Sequence, residues 1–267
     1  MWRVEHRAAR RDSGGEARER ADSAWEEDPL GFVREKLGFE PDATQARVLA
    51  SRKKRVLLNC TRQWGKSTVT AAKAVHQAYT AFGSLTLVVS PSARQSGEFL
   101  RKATGFVQRL GIRPKGDGDN EMSLELPNGS RIVGLPASEA TIRGFSAVAL
   151  LLVDEAARVP DELYLALRPM LAVSAGALWL MSTPFGARGF FYDAWERGAS
   201  EWLRVRVPAT ECPRIARDFL EQERAAMGER WFRQEYLCEF TDSGDGVFAR
   251  EVVERAITKE VRPLVLR

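Results

Sequence analysis

Short apolar runs alternate along this chain with longer stretches in which apolar residues return every three or four positions. The runs predict buried strands over residues 56–59, 85–90, 149–153, 177–181 and 203–207, with a further pair over 123–126 and 131–134. Asn128-Gly129 between the members of that pair is a hairpin turn signal. The helical periodicity falls over residues 66–82, 92–110, 161–171, 187–197, 215–227 and 228–237. Upstream, Leu30, Phe32, Val33 and Leu37 give a short helical face that starts near Asp28, and Asp42 is placed to cap a following helix. Apolar strands alternating with helices predict an α/β fold, a mostly parallel β-sheet flanked by helices on both faces.

One domain over residues 28–241 accounts for all of these elements. Residues 1–27 are rich in Arg, Glu, Ala and Gly without apolar periodicity, which predicts a poorly ordered extension. From Asp242-Ser243-Gly244-Asp245-Gly246 the composition turns to that of a linker, which occupies residues 242–267. With 267 residues and 44% hydrophobic content the chain can bury a full core. No stretch approaches the roughly 18–20 apolar residues of a bilayer span, and charge stands where a signal peptide needs an apolar segment. The expectation is a soluble intracellular protein that does not engage a membrane. Cys60, Cys212 and Cys238 lack metal-ligand spacing and are read as free thiols. A net charge of +4 suits a polyanionic partner without requiring one.

Chemistry enters where strand 56–59 runs into Thr61-Arg62-Gln63-Trp64-Gly65-Lys66-Ser67-Thr68 and then a helix. Strand, loop and helix in that order are the setting of a phosphate-binding loop. Backbone N–H groups and the helix N-terminus hold phosphate oxygens, Gly65 allows close approach, Lys66 reaches the β- and γ-phosphates, and Ser67 ligates Mg²⁺. The usual first glycine is replaced by Cys60, so Gly-Lys-Ser alone would be a weak signal. The second half of the site strengthens it. Strand 149–153 ends in Asp154-Glu155, where Asp154 would hold Mg²⁺ and Glu155 would polarise the attacking water. The two motifs together predict an ATP hydrolase with Mg²⁺ as its cofactor.

With these motifs in place, the sequence resembles the ATPase domain of the large terminase subunits of tailed bacteriophages. Thr61–Ser67 is similar to that family's variant phosphate loop, which also lacks the first glycine and carries an arginine. Pro41-Asp42-Ala43-Thr44-Gln45 resembles its adenine-reading segment, and Thr141-Ile142-Arg143-Gly144-Phe145 a recurrent Arg-Gly element. Ser182-Thr183-Pro184 resembles its coupling motif, and Gly246-Val247-Phe248 the stretch where the family's linker leads into a nuclease domain. The likeness covers about residues 28–250.

The resemblance implies a P-loop NTPase of the RecA-like, ASCE type that drives double-stranded DNA into a procapsid. It implies the portal protein and the small terminase subunit as partners, a homo-oligomeric ring on the portal, and the cytoplasm of a bacterial host as location. Implied catalytic residues are Glu155, Lys66, Arg62 and Arg143. Arg62 would sense or neutralise γ-phosphate charge; Arg143 would act as an arginine finger from a neighbouring subunit, or contact DNA or solvent instead. Gln45 would pair with the adenine edge. Ser182 and Thr183 would bond the attacking water or γ-phosphate, or simply form a strand-end turn. The nuclease domain is expected to be absent from this chain. Two other readings share the motifs. One is a helicase or translocase of another P-loop family, for which the chain lacks room for a second lobe. The other is a weakly hydrolysing prophage-remnant scaffold, against which the intact Lys66, Asp154 and Glu155 argue. Arg52-Lys53-Lys54-Arg55 is read as a solvated turn, Trp64, Trp195, Trp202 and Trp231 as packing anchors with Trp64 near nucleotide, and His76 as structural.

Overall fold

The computed structural model describes residues 24–118, 122–138, 144–241 and 256. Seven strands form one sheet: β1 Arg55–Cys60, β2 Leu85–Ser90, β3 Ser123–Glu125, β4 Arg131–Pro136, β5 Val148–Asp154, β6 Ala177–Ser182 and β7 Trp202–Val207, in the order β3-β4-β2-β5-β6-β1-β7. Only β3 runs antiparallel, paired with β4 across the Asn128-Gly129 turn. The other neighbours are parallel. Every strand lies where the apolar runs predict it, with ends shifted by one or two residues.

Alternation along the strands divides the core in two. Val56, Leu58 and Cys60 of β1, Leu150 and Leu152 of β5, and Trp179 and Met181 of β6 face helices α1 Pro29–Glu35, α2 Ala43–Ala50, α3 Lys66–Thr80 and α4 Ala93–Arg109. Leu57, Leu151, Val153, Leu178 and Leu180 face α5 Asp161–Leu167 and α6 Gly189–Glu196 on the other side. Helices α7 Arg217–Met227 and α8 Glu229–Glu235 follow β7, and Leu220 and Phe232 join them to Ala209 in a small third cluster.

Several elements differ from expectation. The helix predicted over 161–171 stops at Leu167 and continues as a 3₁₀ turn, Arg168–Leu171, because Pro169 cannot donate to the α ladder. Packing starts a turn before Asp28: residues 24–27 are helical, and the Trp25 ring sits 6.1 Å from that of Phe32. The run Arg52–Arg55 does more than face water. Lys54 Nζ and Arg55 Nη1 donate to the carbonyls of Ala175 and Gly176, each at 2.8 Å, tying the start of β1 to the lead into β6. Trp231, expected to pack, is 53% exposed. His76 is buried, with Nε2 2.8 Å from the Trp25 carbonyl, as a structural reading requires. Among the described residues no helix is long and apolar enough to cross a membrane.

The strand order positions the chemistry. Strand β6 lies between β1 and β5, so their carboxyl ends, and the loops that leave them, stand one strand apart. In open parallel sheets that edge is where ligands bind.

Candidate active site

Strand β1 delivers the chain into the loop, where the Thr61 amide donates to the Val207 carbonyl at 2.9 Å. A 3₁₀ turn, Arg62–Trp64, then leads to Gly65, which caps α3 with φ 95° and ψ 27°. That left-handed geometry suits glycine, and a Cβ there would lie 3.2 Å from Gln45 Nε2. The result is a helix N-terminus beginning at Lys66, with Ser67 and Thr68 in its first turn. Lys66 is buried, and its ammonium donates to the carbonyls of Cys60 at 2.6 Å and Thr61 at 3.2 Å.

Behind the loop, Gln45 and Arg214 converge on the Trp64 carbonyl at 2.8 and 2.6 Å. Gln45 is buried and closes a capping box with Asp42, accepting from the Asp42 amide at 3.0 Å while its own amide donates to Asp42 Oδ1 at 2.9 Å. Its side-chain donor and acceptor are thus both engaged, bracing the loop from behind. Arg214 also reaches the Gln63 carbonyl at 3.4 Å and Asp42 at 3.3 Å. The Trp64 indole is 1% exposed within the core, so it does not face a nucleotide; the residue offers the site only its backbone.

At the end of β5, Asp154 is buried and its Oδ1 accepts from the Glu155 amide at 3.0 Å. Burial and the neighbouring Glu155 push the Asp154 carboxyl up to about 6, while Lys66 pulls the other way. Glu155 adopts φ 49° and ψ 42°, a left-handed conformation uncommon for a side-chain-bearing residue. Such geometry persists where surrounding structure enforces it, often at active sites. Its carboxylate accepts from Arg158 Nη1 at 2.9 Å. Beyond the end of β6, Thr183 Oγ1 lies 3.3 Å from both Arg158 Nη1 and Glu235 Oε2. The buried Ser182 hydroxyl has no hydrogen-bond partner among the described residues. Glu235 also accepts from Arg62 Nε and Arg158 Nη2, both at 2.9 Å. Burial alone would raise the Glu235 carboxyl, but Arg62, Arg158 and Thr183 outweigh it and hold it below the usual range.

Lys66, Arg62, Asp154, Glu155, Ser182 and Thr183 therefore meet at one edge of the sheet, with Thr61, Ser67 and Thr68 in the loop and first turn, and Gln45 behind them. Arg143 lies outside the described residues, with Thr141 and Ile142. Three further residues complete the site. Arg158 follows Asp154-Glu155 closely enough to have been suspected. Arg214 and Glu235 come from segments without a motif, and only the fold brings them in. For Mg²⁺, Ser67 and Asp154 supply the oxygen donors that a hard cation prefers. A buried carboxylate raised by a second carboxylate beside it is a position that a bound cation would relieve.

Residues 57–255 match the family described as terminase large subunit, T4likevirus-type, N-terminal. The large terminase subunit of Thermus phage G20c is 26% identical over 252 aligned residues, covering 80% of this chain and 52% of the relative. That of Escherichia phage T5 is 25% identical over 161 residues, 58% of this chain and 37% of its own length. The chain thus spans about half the length, 52%, of the first of these curated relatives. Among solved structures, the ATPase domain of the Thermus phage P74-26 large terminase superposes with a TM-score of 0.71 at 23% identity, covering 80% of this chain and 99% of that domain. The HK97 bacteriophage large terminase superposes with a TM-score of 0.66 at 18% identity, over 89% of this chain and 58% of that one. These likenesses establish the shared RecA-like ASCE fold. With the family match extending over well more than half of its residues, this chain belongs to the terminase large subunit family, T4likevirus-type, and represents its N-terminal region.

Proposed function

We propose that this chain hydrolyses ATP and that hydrolysis drives double-stranded DNA into a phage procapsid. The observation that carries the reading is the convergence of Lys66, Asp154 and Glu155 at the carboxyl edge of the sheet, where β1 and β5 end with only β6 between them. The large terminase of a thermophilic bacteriophage, solved in complex with ATP-gamma-S and superposing with a TM-score of 0.61, supports a nucleotide as the ligand.

In this reading the backbone of residues 61–67 and the N-terminus of α3 cradle the phosphates, and Lys66 exchanges the Cys60 and Thr61 carbonyls for phosphate oxygens. Ser67 and Asp154 would hold Mg²⁺, which would supply positive charge against the phosphates. Glu155 accepts a proton from the attacking water. The water oxygen forms a new bond to the γ-phosphorus, the bond to the bridging oxygen breaks, and ADP leaves with both bridging electrons. Before it can act, the Glu155 carboxylate must part from Arg158, which holds it at 2.9 Å. Arg62 supplies positive charge at the γ-phosphate, and Arg143 supplies it from a neighbouring subunit of a ring. Ser182 and Thr183, at the end of the strand between the two motifs, pass the change in the site onward. The portal protein and the small terminase subunit are the partners this role requires.

The test is phosphate release by the purified chain with and without linear duplex DNA. The motor reading expects hydrolysis that duplex DNA accelerates several-fold. Hydrolysis indifferent to duplex DNA over the full range of protein concentration would reduce the chain to an uncoupled ATPase.

A further inference from the structure

Glu235 lies on α8, which enters the site only after the sheet is complete, and it joins parts of the site that are far apart in sequence. Its Oε2 takes the Arg62 Nε–H of the phosphate loop at 2.9 Å and the Thr183 hydroxyl at 3.3 Å. Its Oε1 takes Arg158 Nη2 at 2.9 Å. The other terminal nitrogen of Arg158 donates to Glu155 at 2.9 Å. Charges alternate along this line, Glu155, Arg158, Glu235, Arg62, and the two carboxylates share one guanidinium. The Glu235 side chain is 13% exposed, whereas that of Arg62 is 63% exposed and open to a further acceptor.

A guanidinium presents its donors in a fixed fork that fits carboxylate and phosphate equally well. A γ-phosphate brought to the loop therefore draws on the same Arg62 guanidinium that Glu235 holds. Removing the Glu235 charge has two consequences. Arg62 loses its carboxylate and turns more readily to phosphate. Arg158 loses one of its two carboxylates and stays on the other, Glu155. We propose that Glu235 is a positioning residue of the hydrolytic site, whose hold on Arg62 and Arg158 sets how strongly the site discriminates a γ-phosphate and how readily Glu155 is freed to act. Because Glu235 sits on α8, the same contacts tie the position of that helix to the nucleotide. The inference rests on the ATP-hydrolysis reading of the site.

The experiment uses the full chain and its Glu235→Gln variant, which keeps the side chain's shape and drops its charge. Magnesium complexes of ATPγS and ADP are titrated against each, phosphate release is followed, and thermal melts are recorded. The ratio of the ADP Kd to the ATPγS Kd is expected to rise about tenfold, the scale of one charge-assisted hydrogen bond. Over the same change kcat falls about tenfold or more, with KM falling rather than rising, and in an Arg62→Gln background the change in the Kd ratio disappears. An unchanged ratio and kcat with a lowered melting temperature would make Glu235 a clip for α8 and overturn the proposal. If Glu235→Gln does not fold, Glu235→Asp, which retracts the charge by one methylene, is expected to move the ratio the same way, and no movement there overturns the proposal equally. Failure of the unmodified chain to bind or hydrolyse ATP would remove the functional reading, and this inference with it.

Discussion

Gly65 and Lys66 show how closely backbone and chemistry are tied at the residue scale. With φ at 95° and a virtual Cβ 3.2 Å from Gln45 Nε2, Gly65 is where the loop turns into α3 and where Gln45 braces it. Gly65→Ala must hold an alanine in the left-handed region and press on that buried amide. We expect a loss of about 1–3 kcal/mol in urea denaturation, together with weaker nucleotide binding; an unchanged midpoint would mean the loop is free to rearrange. The same residues mark the limit of the sequence reading. Gly65-Lys66-Ser67 and Asp154-Glu155 are legible because phosphate and Mg²⁺ chemistry restricts both residue type and spacing. Gln45 stands out in the sequence only through the resemblance, and its burial between Asp42 and Trp64 follows from tertiary packing, which spacing does not report. Arg214 and Glu235 were invisible for a similar reason, since an arginine or glutamate on a late amphipathic segment looks like any solvated charge.

At the scale of elements, apolar runs marked the inner strands β1, β2, β4, β5 and β6 most clearly because these are buried along most of their length, whereas the edge strands β3 and β7 are only partly buried. Helix ends were less legible where a single residue overrode the pattern, as Pro169 does after α5. Helix α3 makes a testable case of burial acting on charge. His76 lies on it with Nε2 against the Trp25 carbonyl, and burial, reinforced by Lys73 and opposed by that hydrogen bond and Asp28, lowers the imidazole to about 4. The unfolded chain takes up this proton near pH 6.5, whereas the folded chain resists it until about pH 4. The corresponding stability is therefore intact above pH 6.5 and is lost as pH falls toward 4, amounting to as much as about 3 kcal/mol for a depression from 6.5 to about 4. Thermal melts from pH 7.5 to 4.5 should show a steeper loss for the unmodified chain than for His76→Gln. Parallel curves would remove His76 as the source.

For the whole molecule, the question is what one copy lacks. The proposed role calls for a ring, and Arg143 is the residue proposed to act across its interface. If it acts in trans, specific activity rises with protein concentration, because association supplies transition-state stabilisation that a dilute chain is missing. Mixing Arg143→Ala, which retains its own phosphate loop, with Lys66→Ala, which retains its own Arg143, should restore part of the activity under assembling conditions. A mixture that stays inactive assigns Arg143 to its own subunit or to another task. Beneath every such question lies the claim that Lys66, Asp154 and Glu155 form one hydrolytic site. The most direct measurement compares ATP binding and phosphate release in the unmodified chain, Lys66→Ala and Glu155→Gln. Lys66→Ala is expected to lose both binding and turnover, whereas Glu155→Gln binds Mg²⁺–ATP as the unmodified chain does and loses turnover by about a hundredfold or more, the scale of general-base catalysis. Turnover near that of the unmodified chain in Glu155→Gln would contradict that claim.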